Sequence, residues 1–94
     1  MIIAVDFDGT IMKDGRPNIP LIQRLKSEQR RGNTVILWTC RQGGSLNEAR
    51  AFMRGYGFLP NYINANAPEV IARFGGDTRK VYADVYIDDK AVRI

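Results

Sequence analysis

The sequence predicts an α/β fold, namely a Rossmann-like three-layer sandwich on a mostly parallel, four- to five-stranded sheet. Short, continuous apolar runs alternate with helix-like patterns along the chain, which is typical of βαβ units. Several of these runs stop at an acidic or hydroxyl residue. A length of 94 residues suits one domain, so we predict a single domain over residues 1–94.

The strands are predicted from apolar runs without polar alternation, a pattern that indicates burial on both faces of a parallel sheet. Such runs occupy residues 2–5, 34–38, 62–63 and 84–87. The segment between the first run and the next helical pattern, residues 13–18, is rich in Gly, Pro, Asn and Asp. We therefore predict a turn-rich loop there.

The helices are predicted from apolar stripes bounded by start and stop signals. The first covers residues 19–31, because Pro20 suits the first turn of a helix and Gly32 ends it. Ser45 and Glu48 have the spacing of a capping box, which predicts that Ser45 caps the second helix.

A third, short helix is predicted to end near residue 74. Asn66 and Glu69 precede its apolar residues with the spacing of a capped start. We therefore expect Asn66 to serve as its N-cap.

Composition places the protein among ordinary globular chains, with 45% hydrophobic and 26% charged residues. No apolar run reaches the ~20 residues of a membrane span, and the N-terminus lacks the basic region of a secretory signal. Cys40 is the single cysteine, so no intrachain disulfide can form. These features predict a cytoplasmic protein without a membrane partner.

The chain contains no histidine and has a net charge of +4. The first fact excludes histidine-based triads, histidine general bases and histidine metal ligands. The second favours anionic substrates by electrostatic steering. Nucleic acid remains a partner that the charge permits but does not support.

The candidate site lies where the predicted strands end. Asp6, Thr39 and Asp88 each follow an apolar run, and ligands bind at the carboxyl ends of strands in an open α/β sheet. Asp6 and Asp8 are two residues apart, so both can face this crevice. Together with Asp88 and Asp89 they would offer the hard oxygen ligands that Mg²⁺ prefers. A lone Asp-x-Asp or Asp-Asp pair is usually a surface feature; the prediction depends on finding both at strand ends.

Four motifs resemble those of the haloacid dehalogenase (HAD) superfamily, in the same order. Residues 6–10 read DFDGT and resemble the first motif, DxDx[TV]. Thr39 resembles the second motif and Lys80 the third. The sequence Ile-Asp-Asp at residues 87–89 resembles the acidic fourth motif. The resemblance extends over nearly the whole chain and implies a Mg²⁺-dependent phosphatase.

The resemblance also implies the roles of the catalytic residues. Asp6 would attack phosphorus and form an aspartyl-phosphate. Asp8 would protonate the leaving oxygen and then activate water. Thr39 would donate a hydrogen bond to the transferring phosphoryl group, and Lys80 would offset charge on the nucleophile and the phosphate. The presence of Asp8 favours phosphatase over dehalogenase chemistry, because family dehalogenases lack this second acid.

The metal ligands implied by the resemblance are Asp6, Asp88 and the backbone carbonyl of Asp8. Asp89 would act through water. The cofactor is therefore predicted to be Mg²⁺.

Other residues near the motifs are open to two interpretations. Arg41 precedes a Gly-Gly pair and a helix start, so it could clamp a substrate phosphate or be an ordinary surface arginine. Arg79 competes with Lys80 for the third motif, and we favour Lys80 because a compact ammonium suits the role. We expect Trp38 and Cys40 to lie in the core, and Lys90 to be solvated.

The spacing of the motifs leaves no room for a cap domain. We expect a loop and one helix between Asp8 and Thr39, and two helices and a weak strand between Thr39 and Lys80. The substrate is predicted to be a phosphorylated small molecule or polymer end. The chain stops five residues after Asp89, where HAD relatives continue, which leaves open a minimal domain, a homo-oligomer or a truncated form.

Two other function classes share some of these sequence features. A non-catalytic HAD-like module that binds phosphate or nucleic acid is the alternative, because of the basic charge and the short C-terminus. A signalling receiver domain also uses Asp, Thr, Lys and Mg²⁺. We disfavour it because Asp6 lies on the first strand and no acidic residue ends the second.

Overall fold

A four-stranded parallel sheet lies at the centre of the protein, in a computed structural model that describes residues 1–90. Strands β1 (Ile2–Val5) and β4 (Thr34–Leu37) form its middle. Strands β5 (Tyr62–Ile63) and β6 (Val85–Ile87) form its edges, in the order β5-β4-β1-β6. β1 is a run of four buried residues, because strands cover it on both sides and other elements pack on both faces.

Three helices cover the two faces of this sheet: α1 (Ile19–Arg30), α2 (Gly43–Gly55) and α3 (Pro68–Phe74). Alternate residues of β1 and β4 enter two separate cores. One core contains buried residues of α1 and α2, and the other contains Val70 of α3. The predicted three-layer α/β fold is thus confirmed. None of the helices within residues 1–90 combines the length and apolar character needed to cross a bilayer.

The parallel register aligns the carboxyl ends of three strands. Val5 of β1 is paired with Leu37 of β4 on one side and with Ile87 of β6 on the other. The residues that follow these positions therefore leave the sheet at one edge. β6 is an edge strand, and its residues Val85 and Tyr86 are exposed.

The segment predicted as a loop instead contains a small antiparallel hairpin. Strands β2 (Met12–Lys13) and β3 (Arg16–Pro17) pair across Asp14 and Gly15. Both turn residues have positive φ, at 55° and 73°, as the commonest two-residue hairpin turn requires. An Asp-Gly pair favours this turn, so the sequence did contain the signal.

Both predicted helix caps are wrong. Helix α2 begins at Gly43, two residues before Ser45, and the Ser45 hydroxyl donates to the Gln42 carbonyl at 2.9 Å. Helix α3 begins at Pro68, with Ala67 as its N-cap. Asn66 is buried and its side chain binds the segment after α3, accepting from the Tyr82 amide at 2.7 Å. Ser45 bonds locally to Gln42 and Asn66 bonds to the segment after α3, so neither side chain caps its helix.

Candidate functional site

Backbone hydrogen bonds extend the sheet by one residue beyond its strands and so position the site. The Asp6 amide donates to the Ile87 carbonyl at 3.0 Å, and the Trp38 amide donates to the Val5 carbonyl at 2.8 Å. Asp6 therefore has the chain that follows β4 on one side and the chain that follows β6 on the other. The register of buried strands thus determines the neighbours of Asp6.

Three carboxylates converge at this edge. Asp6, Asp88 and Asp89 each present an oxygen, and these oxygens lie within 4.8 Å of one another. Gly9 has φ of +80° and its backbone passes so close to Asp89 that a Cβ would overlap the carboxylate. The Lys90 amide donates to Asp88 Oδ1 at 2.8 Å. Asp89 thus lies directly against Gly9, within the first motif.

The electrostatics of Asp6 reflect this crowding. Partial burial raises the pKa of the Asp6 carboxyl, and the negative charges of Asp88, Asp89 and Asp8 raise it further, against a hydrogen bond from the Phe7 backbone. A cation at this point would relieve the repulsion.

The donor set suits Mg²⁺. This ion prefers hard oxygen ligands at about 2.0–2.1 Å, so two ligands on opposite sides lie ~4.2 Å apart. The oxygens of the three carboxylates, within 4.8 Å of one another, would need only small side-chain movements to meet that spacing. The carboxylate of Asp8 lies outside this group, and the predicted role of its backbone carbonyl stays a prediction.

A cavity of about 590 Å³ opens beside Asp6 and Asp88. Trp38 and Cys40 line it, and Trp38 is 40% exposed. The prediction that both lie in the core is therefore wrong. The alternation of a strand ends at Leu37, so it no longer governs where the next side chains point. The full lining is Asp6, Trp38, Thr39, Cys40, Asn64, Asp88 and Lys90.

Thr39 is held in this cavity by Asn64. The Thr39 amide donates to Asn64 Oδ1, and Asn64 Nδ2 donates to the Thr39 carbonyl, both at 2.8 Å. The Thr39 hydroxyl oxygen accepts from the Arg41 amide at 3.1 Å, so its hydrogen can still be donated to a ligand. Asn64 was missed from sequence, although it directly follows β5 and the strand-end rule would have indicated it.

Asp8 does not join the acidic cluster but forms a two-point ion pair with Arg41. Arg41 Nη2 donates to Asp8 Oδ1 at 2.8 Å, and Arg41 Nε donates to Asp8 Oδ2 at 2.9 Å. These hydrogen bonds lower the pKa of the Asp8 carboxyl. Phe7, between the two acids, is buried. Arg41 is thus part of the site's polar network rather than a solvated surface arginine.

Lys80, the residue predicted for the third motif, and Lys90 line different cavities. Lys80 lines a separate cavity of about 310 Å³ together with Phe74, Tyr82 and Tyr86, and it forms no ion pair with the acidic cluster within the described residues. Lys90, expected to be only solvated, is exposed and also lines the cavity of Asp6. Arg79, the other candidate for the third motif, is exposed.

Comparison with known proteins yields one informative match. No family model matches the chain, and no curated protein matches it. The solved structure of a conserved protein from Bacteroides thetaiotaomicron superposes with a TM-score of 0.84 and 37% sequence identity. The alignment covers 98% of this chain and 78% of the other. The two chains therefore share both a fold and a substantial part of their sequence.

Proposed function

We propose that this chain, which belongs to the same family as the conserved Bacteroides thetaiotaomicron protein, is a HAD-type, Mg²⁺-dependent phosphomonoester hydrolase. It would act in the cytoplasm through an aspartyl-phosphate on Asp6. The observation that carries the proposal is the convergence of Asp6, Asp88 and Asp89 within 4.8 Å, beside a cavity lined by Thr39. These residues belong to three of the four HAD-like motifs.

The acidic residues would bind the metal ion, and two of them, Asp6 and Asp8, would also take part in the reaction. Asp6 and Asp88 would hold Mg²⁺, with the Asp8 carbonyl, and Asp89 would act through water. When bound, the ion supplies positive charge to the phosphoryl oxygens and to the crowded carboxylates. Phosphoryl transfer depends mainly on such positioning and charge neutralisation.

The reaction proceeds in two displacements at phosphorus. A carboxylate oxygen of Asp6 forms the new bond to phosphorus while the bond to the leaving oxygen breaks, and Asp8 gives that oxygen a proton. Asp8 then takes a proton from water, whose oxygen attacks phosphorus and displaces Asp6. Thr39 donates its hydroxyl hydrogen to the transferring group. Lys80, by motif order, and Lys90, by its place in the cavity, are the candidates for a balancing ammonium.

The substrate class follows from the open site. Within residues 1–90, the connections between the motifs contain only the β2–β3 hairpin, the three helices and the sheet strands β4, β5 and β6. With no cap to enclose the substrate, either a phosphorylated small molecule or a phosphorylated polymer end could enter. Water would then have to be excluded from the site by the substrate itself or by a partner chain.

The test is Mg²⁺-dependent release of phosphate from p-nitrophenyl phosphate. Asp6→Asn should lower kcat by at least about 10³-fold, because it removes the nucleophile. Asp14→Asn is the matched control: Asp14 is exposed in the hairpin turn, and asparagine tolerates its positive φ. Rapid acid quenching with a labelled substrate should trap label on Asp6 of the unmodified protein. Full activity in Asp6→Asn would refute the nucleophile assignment.

A second candidate function, nucleic-acid binding without catalysis, has one observation in its favour. Phe74, Tyr82 and Tyr86 line the same cavity as Lys80, and the Arg73 guanidinium carbon lies 5.5 Å from the centre of the Phe74 ring. Exposed aromatic rings beside cations are the elements that bind single-stranded nucleic acid.

This candidate predicts salt-sensitive binding of a fluorescent single-stranded oligonucleotide. Phe74→Ala should weaken binding by about tenfold, because stacking contributes ~1–3 kcal/mol per base. Leu59→Ala, at a similarly exposed apolar residue outside this cavity, is the control. Absence of binding at low salt would exclude this candidate.

A further inference from the structure

We propose that the Arg41 guanidinium is an anion receptor that exchanges partners: Asp8 occupies it before substrate arrives, and the substrate phosphate then displaces Asp8. Once displaced, Asp8 is free to take up a proton from solvent and to deliver it to the leaving oxygen. The role of Asp8 in this proposal rests on the proposed function, whereas the exchange itself is a property of Arg41 and Asp8 alone.

Arg41 is held in place by groups other than Asp8. Its guanidinium carbon lies 4.8 Å from the centre of the Phe7 ring, and Phe7 is 1% exposed. Its Nη1 donates to the Ser45 carbonyl at 3.0 Å, near the start of α2. These contacts use one face and one nitrogen of the guanidinium. The edge formed by Nε and Nη2 would therefore keep its orientation after Asp8 leaves.

That edge binds a carboxylate and a phosphate equally well in geometric terms. Two parallel N–H donors match two oxygens of either group. At present both oxygens of Asp8 fill the two positions, at 2.8 and 2.9 Å. A phosphate could therefore bind to the same edge only by replacing Asp8.

Asp8 is the partner that can leave. Its side chain is 55% exposed, whereas that of Arg41 is 20% exposed. An ion pair with one partner largely in water contributes little net free energy, so an incoming dianion can compete with it.

The backbone of Arg41 contacts a residue that is proposed to hold the phosphoryl group. The Arg41 amide donates to the Thr39 hydroxyl oxygen, and Thr39 shares a cavity with Asp6. Asp6 and Asp8 are themselves separated by one residue. Arg41 is thus linked to both sides of the proposed reaction centre.

The test is a double-mutant cycle with inorganic phosphate as the probe, in metal-free protein. Binding is followed by NMR titration, including the Arg41 Nε–H signal, in the unmodified protein, Asp8→Asn, Arg41→Met and the double variant. Asp8→Asn should tighten phosphate binding by about fivefold when Arg41 is present, because the internal competitor is gone. In the Arg41→Met background the same change should alter the dissociation constant by less than about twofold.

The cycle separates competition from general electrostatics. Removing the charge of Asp8 favours any nearby anion in both backgrounds, so only a larger effect with Arg41 present supports exchange. Asp8→Ala should reproduce the result. Equal effects in the two backgrounds, or no phosphate binding by Asp8→Asn at tens of millimolar, would overturn the exchange.

The outcomes for the two proposals can be told apart. Turnover abolished in Asp6→Asn, together with an additive cycle, would leave the phosphatase standing and remove the exchange. Coupling in the cycle without turnover on any phosphoester would leave an anion receptor and remove the phosphatase.

Discussion

Two carboxylate sites at opposite ends of the sheet show opposite electrostatics. Glu28 is 4% exposed. It accepts from Asn33 Nδ2 at 2.7 Å, from Arg24 Nε at 3.1 Å and from Arg31 Nη1 at 3.3 Å. The hydrogen bond from Asn33 and the two guanidinium groups lower the pKa of its carboxyl. The pKa of Asp6 is raised instead.

The difference lies in what surrounds each charge. Glu28 is surrounded by donors and cations, so the fold itself compensates it. Within residues 1–90 no ion pair involves Asp6, Asp88 or Asp89, and the oxygens of these three acids lie within 4.8 Å of one another. An acid whose charge is balanced by neighbouring donors and cations stabilises the fold. A cluster of acids without such partners favours binding of an external cation.

After the loss of the nucleophile in Asp6→Asn, the largest effect at the acidic site is expected from the lysine that would balance the negative charge of the phosphate. Lys90→Met should lower kcat by about 10²-fold, the typical cost of removing one charge-stabilising donor, because Lys90 lines the cavity of Asp6. Lys80→Met is the paired variant and should change kcat by less than about threefold. The reverse ranking in a phosphatase assay would restore the assignment of Lys80 from the third motif.

A second prediction measures the uncompensated charge through metal binding. Mg²⁺ at about 100 times its dissociation constant should raise the free energy of unfolding by ~2.7 kcal/mol. Thermal melts with and without Mg²⁺ give this shift directly. Asp88→Asn should abolish it while Asp14→Asn preserves it. An unchanged Mg²⁺ shift in Asp88→Asn would place the ion elsewhere.

A smaller effect of the opposite sign is expected without metal. Asp88→Asn should raise the free energy of unfolding of the metal-free protein by about 1 kcal/mol, the scale of repulsion between exposed charges ~4 Å apart. Urea titration at low ionic strength is the measurement. If Asp88→Asn instead destabilises the protein, the cluster is already compensated and the contrast with Glu28 fails.

The smallest effect is expected at Glu28. The side chains of its partners Arg24 and Arg31 are 70% and 68% exposed, and water weakens ion pairs with exposed partners. Its folded pKa is lowered, so its contribution to stability is present above the ordinary glutamate value of 4.5 and disappears as pH falls through the folded pKa. Glu28→Gln should therefore be less stable than the unmodified protein at pH 7, and this difference should disappear as pH falls below the ordinary glutamate value and through the folded pKa. A pH-independent difference in urea titrations would mean that packing, not charge, is responsible.

Local patterns were sufficient for the sheet and for the main elements. Residues 2–5 form β1 as predicted, and β4 ends one residue before the predicted limit. The strand-end rule indicated Asp6 and Asp88, which the parallel register then brings together. The predictions failed for polar residues that can bond to several different groups. Sequence spacing predicted that Ser45 and Asn66 cap helices, whereas their side chains bond to other groups.

The sequence by itself determined the strands, their buried faces and the acidic residues that follow them, because these depend on apolar periodicity over a few neighbouring residues. Only the tertiary structure decided that Asp8 pairs with Arg41, 33 residues away, that Lys80 lies in another cavity, and that Trp38 and Cys40 face the site. Once the chain leaves a strand, no short repeat governs the direction of a side chain. Its direction then depends on contacts with residues far away in the sequence.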